Sequence, residues 1–332
     1  MRLDSVRELK QRVLRSVLAP MLSAAPRALG LAYAASAVTA TRQTQRLLAV
    51  GVSPAGKGQF KLAVRLQRHS LATSAELDRL SDMARGELDV RFIGRVHKRA
   101  APWYQRRNRP LRIGGSVAHF AVTAGTLGGF VRRRGSDGTL ILSNNHVLAN
   151  ENRAKLGDAV LQPGSYDGGT RRRDRAARLE RFVRLKTRGV NLVDSATASL
   201  ERGIDYDAAT LTGLGRLKGV AATPVDEGAR VAKVGRTTGV TRGRVTAFEL
   251  DDIVVAYDIG NASFDDQIEI EGAGSAPFSD GGDSGSLIVD RGGYAVAQLF
   301  AGSDTGGRNG RGLTYASPIH AVLQHLKVEL IF

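Results

Sequence analysis

The chain has 332 residues, 42% of them hydrophobic, and it contains no cysteine. It has enough apolar sequence for a complete core, whereas disulfides, thiolate nucleophiles and thiolate metal sites are excluded. The formal net charge of +16 is uneven, because residues 1–113 hold about 22 lysines and arginines against about 7 acids. The basic character therefore belongs to the N-terminal third.

The N-terminal segment, residues 1–44, is predicted to be helical. Apolar residues recur at helical spacing with charges between them, which indicates an amphipathic helix at about 3–19 rather than a signal sequence. A second, alanine-rich helix is predicted at about 28–48. Prolines and an arginine interrupt the apolar stretch 16–40, so no uncharged run reaches the roughly 18 residues that cross a bilayer. We therefore expect no membrane span and a cytoplasmic location.

Residues 45–100 are predicted to form a small accessory domain. Its apolar runs and one helical pattern alternate in the order strand, strand, helix, strand. Residues 101–113 are rich in arginine and proline and predict a basic linker. This surface suits an acidic partner protein, a membrane surface or nucleic-acid phosphates. No nucleic-acid motif is present, so a solvated basic face is the preferred interpretation.

Two turns, far apart in the rest of the chain, each adjoin a strand-like run. The first, S-N-N-H-V-L-A at 143–149, follows G-T-L-I-L at 138–142. The second, G-D-S-G-S-L at 282–287, leads into a run of Leu, Ile and Val. Alone, the first is typical of a buried core histidine and the second of an Asp-Ser turn. Their combination indicates a base and a nucleophile.

The chemistry explains why these residue types belong together. A serine hydroxyl is a poor nucleophile at neutral pH, so it needs an imidazole that takes its proton and amides that bind the oxyanion. We therefore predict Ser284 as nucleophile and His146 as general base. The glycines of the second turn let the amides of Gly282 and Ser284 point at one place, which predicts the oxyanion hole.

From about residue 125 to the C-terminus, the chain resembles the trypsin/chymotrypsin-like serine proteases, in particular bacterial members related to streptogrisin. Besides the two turns, K-V-G-R-T-T-G-V-T-R-G-R-V at 233–245 looks like a hairpin of those enzymes, and residues 314–326 look like their closing strand and C-terminal helix. The resemblance implies a mainly β fold, with two six-stranded antiparallel Greek-key barrels in residues 114–332, and serine endopeptidase activity on a protein or peptide. The absence of cysteine departs from secreted relatives.

Two acids compete for the third member of the triad. The order His, Asp, Ser is that of chymotrypsin-like enzymes. Asp194 lies 48 positions after the histidine and 90 before the serine, a spacing close to that of the family, whereas Asp207 lies 61 after and 77 before. Small apolar neighbours around Asp194 suit the burial that the role requires. We favour Asp194, with Asp207 as the alternative.

The resemblance also implies a role for Asp283, which would support the oxyanion loop. In relatives this acid often pairs with a new N-terminal amine. Residues 112–115, R-I-G-G, resemble the site at which zymogens of the family are cut, so cleavage after Arg112 would let the amine of Ile113 pair with Asp283. The preferred alternative is control by docking through the N-terminal third of the chain.

Specificity is assigned by resemblance alone. Phe278, six positions before the nucleophile, would form the base of the primary specificity pocket and argues against simple cleavage after Lys or Arg. Asp280 is a second candidate for this pocket, although a surface turn acid is an equal interpretation. The strand-like run 295–302, with Phe300 and Gly302, would pair with the substrate as an added strand.

No cofactor is predicted. The carboxylate pairs at 251–252 and 265–266 lack the alternating oxygen ligands of a calcium loop, so no metal is predicted either. Two other functional classes stay open: a binding protein built on an inactive protease fold, and a nucleic-acid or partner-binding protein that acts through its basic N-terminal module.

Overall fold

The computed structural model describes residues 1–18, 48–94, 96 and 100–332, and these form two compact units, residues 1–100 and 101–332. Most of the helix predicted at 28–48 lies outside the described residues. Within the described ranges, no helix combines the length and apolar character needed to cross a membrane.

The N-terminal unit packs two helices on a three-stranded sheet. Its elements are α1 (Leu3–Val13), which continues as a π-helical turn to Leu18, β1 (Leu48–Gly56), β2 (Gln59–Leu66), α2 (Ala75–Met83) and β3 (Leu88–Phe92). Strand β1 is antiparallel to β2, whereas β3 is parallel to β2, as a crossover through α2 requires. The buried face of α1, with Val6, Leu9 and Val13, packs into the same core as Leu62 and Leu80.

The second unit is mainly β. Its strands are β4 (Leu111–Arg112), β5 (Ser116–His119), β6 (Gly125–Thr126), β7 (Gly129–Arg133), β8 (Thr139–Ser143), β9 (Ala159–Leu161), β10 (Arg175–Phe182), β11 (Val190–Asn191), β12 (Ala196–Leu200), β13 (Tyr206–Asp207), β14 (Thr210–Leu211), β15 (Gly215–Arg216), β16 (Gly219–Val220), β17 (Arg230–Gly235), β18 (Gly239–Leu250), β19 (Ile253–Tyr257), β20 (Gly260–Phe264), β21 (Gln267–Gly272), β22 (Leu287–Asp290), β23 (Tyr294–Gly302), β24 (Thr314–Pro318) and β25 (Val328–Ile331). Two helices complete it, α3 (Asn145–Leu148) and α4 (Ile319–Leu326).

These strands form the predicted chymotrypsin-like double barrel. The first half is a curled sheet in the order β25-β7-β8-β12-β10-β9-β5-β6. The second half, β23-β22-β17-β18-β21-β24, closes into a six-stranded barrel because β24 also pairs with β23. Each half has its own buried core, and the core of the closed barrel includes Phe278. The mainly β prediction is therefore confirmed, with a first half that is an open eight-stranded sheet instead of a six-stranded barrel.

The segment predicted as a basic linker, residues 101–113, is part of the second unit. Strand β4 pairs in parallel with β13, and Leu111 and Ile113 are almost completely buried. The Asn108 amide donates to Gln162 Oε1 at 2.9 Å. The segment packs against the barrel because apolar residues lie between its arginines. Its arginine content predicts a linker, and the apolar residues are too few to form a recognisable pattern in the sequence.

A β-hairpin, β19–β20, extends from the closed barrel, and its strand β20 pairs in parallel with β11. The carboxylate pairs noted in the sequence lie at its base. Asp265 Oδ1 accepts from the amide of Asp252 at 2.9 Å, and Asp251 Oδ1 accepts from that of Asp266 at 3.0 Å. These acids therefore fix the two ends of the hairpin.

Candidate active site

His146 and Asp194 form the centre of the site. The imidazole lies in the short helix α3, directly after β8, and its Nδ1 is 2.5 Å from Asp194 Oδ2. The His146 amide donates to the other carboxylate oxygen at 3.3 Å, and Asn144 Nδ2 donates to the Asp194 carbonyl at 2.6 Å. The segments that carry His146 and Asp194 are therefore joined by backbone groups as well as by side chains, which fixes the orientation of the imidazole.

The electrostatics of this pair suit a general base. The Asp194 side chain has no exposed surface, whereas 21% of the His146 side chain is exposed. Burial lowers the pKa of His146, but the charge and hydrogen bond of Asp194, with help from Glu151, outweigh it, so the pKa is raised above its usual value of 6.5. The buried carboxylate therefore stabilises the imidazolium that proton abstraction would create.

Tyr257, at the end of β19, is a third member of this cluster that the sequence analysis missed. Its hydroxyl donates to Asp194 Oδ2 at 2.8 Å, and its ring centroid lies 6.0 Å from that of His146. Burial and the neighbouring Asp194 carboxylate raise the pKa of Tyr257 well above 10, so it stays a neutral donor. The continuous apolar run of residues 253–257 is typical of a strand, but nothing local indicates that its last residue reaches a carboxylate 63 positions away.

Ser284 lies in a turn that packs against the strand preceding His146. The carbonyl of Ser284 accepts from the amide of Thr126 at 2.8 Å, and the amide of Gly285 donates to Leu299 at 2.9 Å. Gly285 has φ +95°, and a Cβ there would lie 2.1 Å from Ser143 Oγ. Only glycine therefore permits the serine turn to approach the end of β8 so closely.

Among the described residues, Ser284 and His146 are not joined by a hydrogen bond as Asp194 and His146 are. Ser284 is half-buried, and no hydrogen bond within 3.5 Å joins its hydroxyl to the imidazole among the described residues. Ser195 instead connects the two halves of this unit, because its hydroxyl donates to Gln298 Oε1 at 2.6 Å. Catalytic hydrogen bonds are often long without substrate and shorten when it binds.

The amides of Gly282 and Ser284 are available to an oxyanion. Within the described chain, neither amide donates to another protein group. Gly282 has φ +93°, and the preceding carbonyl, of Gly281, accepts from Thr237 Oγ1 at 2.6 Å. Because N–H and C=O point in opposite directions across a trans peptide, this bond turns the Gly282 N–H away from Thr237.

Asp283 is held by a buried lysine. Lys233 Nζ lies 3.1 Å from Asp283 Oδ2, and both side chains are completely buried. The carboxylate also accepts from the amide of Thr237 at 2.8 Å and from the Thr238 hydroxyl at 2.7 Å. Burial lowers the pKa of Lys233, and the Asp283 carboxylate opposes this shift. The sequence does contain a signal for this pair. In the apolar strand V-A-K-V, strand alternation points the lysine inward, which indicates a buried cation that needs an acidic partner.

The pairing of Lys233 with Asp283 bears on residues 112–115, which resemble a zymogen cleavage site. In the uncut chain Asp283 is already paired with a cation, Lys233. Ile113 is 1% exposed, and the amide of the following Gly114 donates to Leu127 at 2.8 Å. A Cβ on Gly114 would lie 2.6 Å from Val234, so this turn is tightly packed.

The four residues assigned to specificity fall into different surroundings. Phe278 is 1% exposed in the core of the closed barrel, and Phe300 is 3% exposed, with its ring tilted against that of Phe264 at a centroid distance of 4.7 Å. Asp280 is exposed, and its carboxylate accepts from the amide of the next residue at 2.7 Å, as in a surface turn. Gly302 is exposed at the end of β23, where Ala301 and Gly302 pair with β24 on one side and with no strand of the described chain on the other.

Asp207 lies in different surroundings from the His146–Asp194 pair. Its Oδ1 accepts from the amides of Ala209 and Thr210, at 3.1 and 2.9 Å. The carboxylate therefore caps the turn that follows β13. A second buried histidine–aspartate pair, His119 with Asp158 at 3.1 Å, differs in electrostatics, because burial lowers the pKa of His119.

Comparisons with known proteins bear on the fold. No protein-family model and no curated protein matches the chain. Solved structures similar to it include Thermobifida fusca protease A (16% identity, TM-score 0.46), Cellulomonas bogoriensis chymotrypsin (18%, 0.45) and Nocardiopsis protease (17%, 0.48). Each match covers 67% of this chain and 98–99% of the other. At these identities and TM-scores, the likenesses carry no information on individual site residues.

Proposed function

We propose that this chain, with its chymotrypsin-like double barrel, is a serine endopeptidase. The observation that carries the proposal is the buried Asp194 carboxylate, 2.5 Å from His146 Nδ1, beside a glycine-flanked serine turn with two free amides. A carboxylate in that position holds the imidazole in the tautomer that presents its other nitrogen to the nucleophile.

The proposed reaction proceeds through an acyl-enzyme. Ser284 Oγ attacks the scissile carbonyl carbon while His146 takes the hydroxyl proton, and the resulting oxyanion binds the amides of Gly282 and Ser284. When the tetrahedral intermediate collapses, His146 donates that proton to the leaving amine and the C–N bond breaks. Water then attacks the ester by the same proton transfers, which releases the acid and restores the serine.

Two further residues have positioning roles in this proposal. Tyr257 donates to the same Asp194 oxygen that His146 contacts, so it restrains the carboxylate. Lys233 neutralises Asp283 and thereby supports the loop that carries the two oxyanion amides. An uncut full-length chain should therefore be active, and intact-mass measurement of the active species tests this directly. Activity confined to a species cut after Arg112 would contradict it.

The substrate in this proposal is an extended polypeptide. The free edge of β23 around Phe300 and Gly302 leads away from the serine turn, and it offers backbone groups for strand addition. An unfolded protein such as casein is therefore a suitable test substrate. We expect full-length enzyme to produce new peptide termini that full-length Ser284→Ala does not. Equal product from both proteins would exclude the endopeptidase and favour the inactive protease-fold binding protein.

A further inference from the structure

A broad groove in the second unit does not take part in the proposed chemistry. Its volume is about 910 Å³, and its floor is formed by the outer faces of β17, β18 and β22. Seven cationic side chains line it: Arg216, Lys218, Arg230, Arg242, Arg244, Arg291 and Arg308. The acids that line it in the described part of the chain are two, Glu271 and Asp290.

This concentration of cations is unusual for the second unit, because residues 114–332 carry little net charge. Of 48 basic and 32 acidic residues in the chain, 22 and 7 lie in residues 1–113, which leaves 26 and 25 in residues 114–332. A representative surface of this part would therefore show cations and acids in nearly equal number. The groove instead has an excess of five cations, which makes it an attractive surface for anions.

The strand register shows that this charge is held close together. Arg230 of β17 lies directly opposite Arg244 of β18, and like charges in that position repel. Arg244 is compensated by Glu271, 2.7 Å away on the next strand. Arg242 lies two residues along the same strand as Arg244, and hence on the same face. Among the described residues, neither Arg230 nor Arg242 has an acidic partner within 4.0 Å.

The lining also restricts the kind of anion. Among the described residues no aromatic side chain lines the groove, and such side chains form the stacking platform on which proteins hold the bases of single-stranded nucleic acid. Aliphatic side chains lie between the cations, among them Leu214, Ala232 and Ala273. Arginine forks bind carboxylates in pairs of hydrogen bonds, and aliphatic surface accepts aliphatic side chains. Acidic peptides supply both groups.

We propose that this groove is a docking site for an acidic peptide segment of a partner protein. The segment lies across β17, β18 and β22, with its carboxylates on the arginines and its aliphatic side chains between them. Each of the three floor strands pairs with a neighbouring strand on both sides, so recognition is by side chains rather than by strand addition. This binding is separate from the proposed peptidase reaction and does not require Ser284.

The test measures binding of a fluorescein-labelled oligoglutamate peptide by full-length Ser284→Ala protein, using fluorescence anisotropy. In that background, Arg230→Gln with Arg242→Gln is compared with a matched control, Arg188→Gln with Arg202→Gln, which removes two exposed positive charges elsewhere in the same unit. We expect the groove pair to weaken binding about tenfold or more and the control pair less than about twofold, with affinity decreasing as salt rises.

Thermal melting of both double variants verifies that they are folded. Equal weakening by the two pairs would overturn the proposal, since it would mean that overall charge, including that of the basic N-terminal unit, attracts the peptide. Labelled oligothymidylate is titrated in parallel. If it binds more tightly than oligoglutamate and depends on Arg230 and Arg242, the groove is a nucleic-acid site and the peptide proposal is wrong.

Discussion

Replacing Tyr257 by Phe should slow catalysis without disturbing the fold. The change removes one hydrogen bond, 2.8 Å long, to the buried Asp194 carboxylate and keeps the ring that packs near Phe264. A hydrogen bond to a charged group contributes about 1.5–3 kcal/mol. If this energy is lost in the transition state, kcat falls by about tenfold to a hundredfold, because about 1.4 kcal/mol corresponds to a factor of ten.

The assay is the pH profile of kcat and kcat/KM on a fluorogenic peptide that the wild type cleaves. Without the tyrosine donor, the Asp194 charge acts more fully on the imidazolium, so the pKa of His146 should rise further. The acidic limb of the profile then moves to higher pH, while KM changes little. A fall in kcat with an unshifted limb would indicate a general structural defect.

Tyr315→Phe is the matched control for this experiment. The Tyr315 hydroxyl donates to Glu269 at 3.3 Å in the same barrel, and its ring packs against the same apolar cluster. Its loss should leave both kcat and the pH profile unchanged. If the two variants behave alike, or if Tyr257→Phe has wild-type kinetics, the positioning role of Tyr257 is refuted.

Three further predictions concern the charged residues. Asp194→Asn should lower kcat by up to about 10⁴-fold and move the acidic limb of the pH profile to lower pH, whereas Asp207→Asn should change neither kcat nor the limb. The reverse pattern would transfer the triad role to Asp207. In the wild type, kcat/KM should fall as pH decreases through a His146 pKa that lies above 6.5, and a limb below 6.5 would contradict the raised value. Lys233→Met should reduce the free energy of unfolding by about 3–5 kcal/mol in denaturant titrations, because it leaves Asp283 buried without a cation. Recovery of this stability when Asp283→Asn is added supports the pairing, whereas a loss below about 1 kcal/mol refutes it.

The sequence is sufficient to predict the fold and the positions of the His146 and Ser284 turns. Strand-like runs on either side of the His146 and Ser284 turns indicate their place at strand ends, and the glycines around Ser284 indicate a tight approach that only a residue without Cβ permits. These signals are local, because each turn carries its own flanking strand and its own special residues.

The partners of these residues are harder to predict, because they depend on long-range packing. Tyr257 reaches Asp194 only because β20 of its hairpin pairs with β11, a few residues before the aspartate. Lys233 is recognisable as an inward-pointing cation, but its carboxylate lies 50 positions away. Likewise, the basic groove joins residues from six separate stretches of a nearly neutral sequence, so counting charge along the chain does not reveal it.

The most direct test of the endopeptidase account is covalent labelling of full-length protein by a fluorophosphonate probe, followed by mass spectrometry of the modified peptide. We expect one adduct, on Ser284, with labelling abolished in Ser284→Ala and greatly slowed in His146→Ala. Folded wild-type protein that labels no better than Ser284→Ala, or that carries the adduct on another residue, would contradict the assignment of Ser284 as an activated nucleophile.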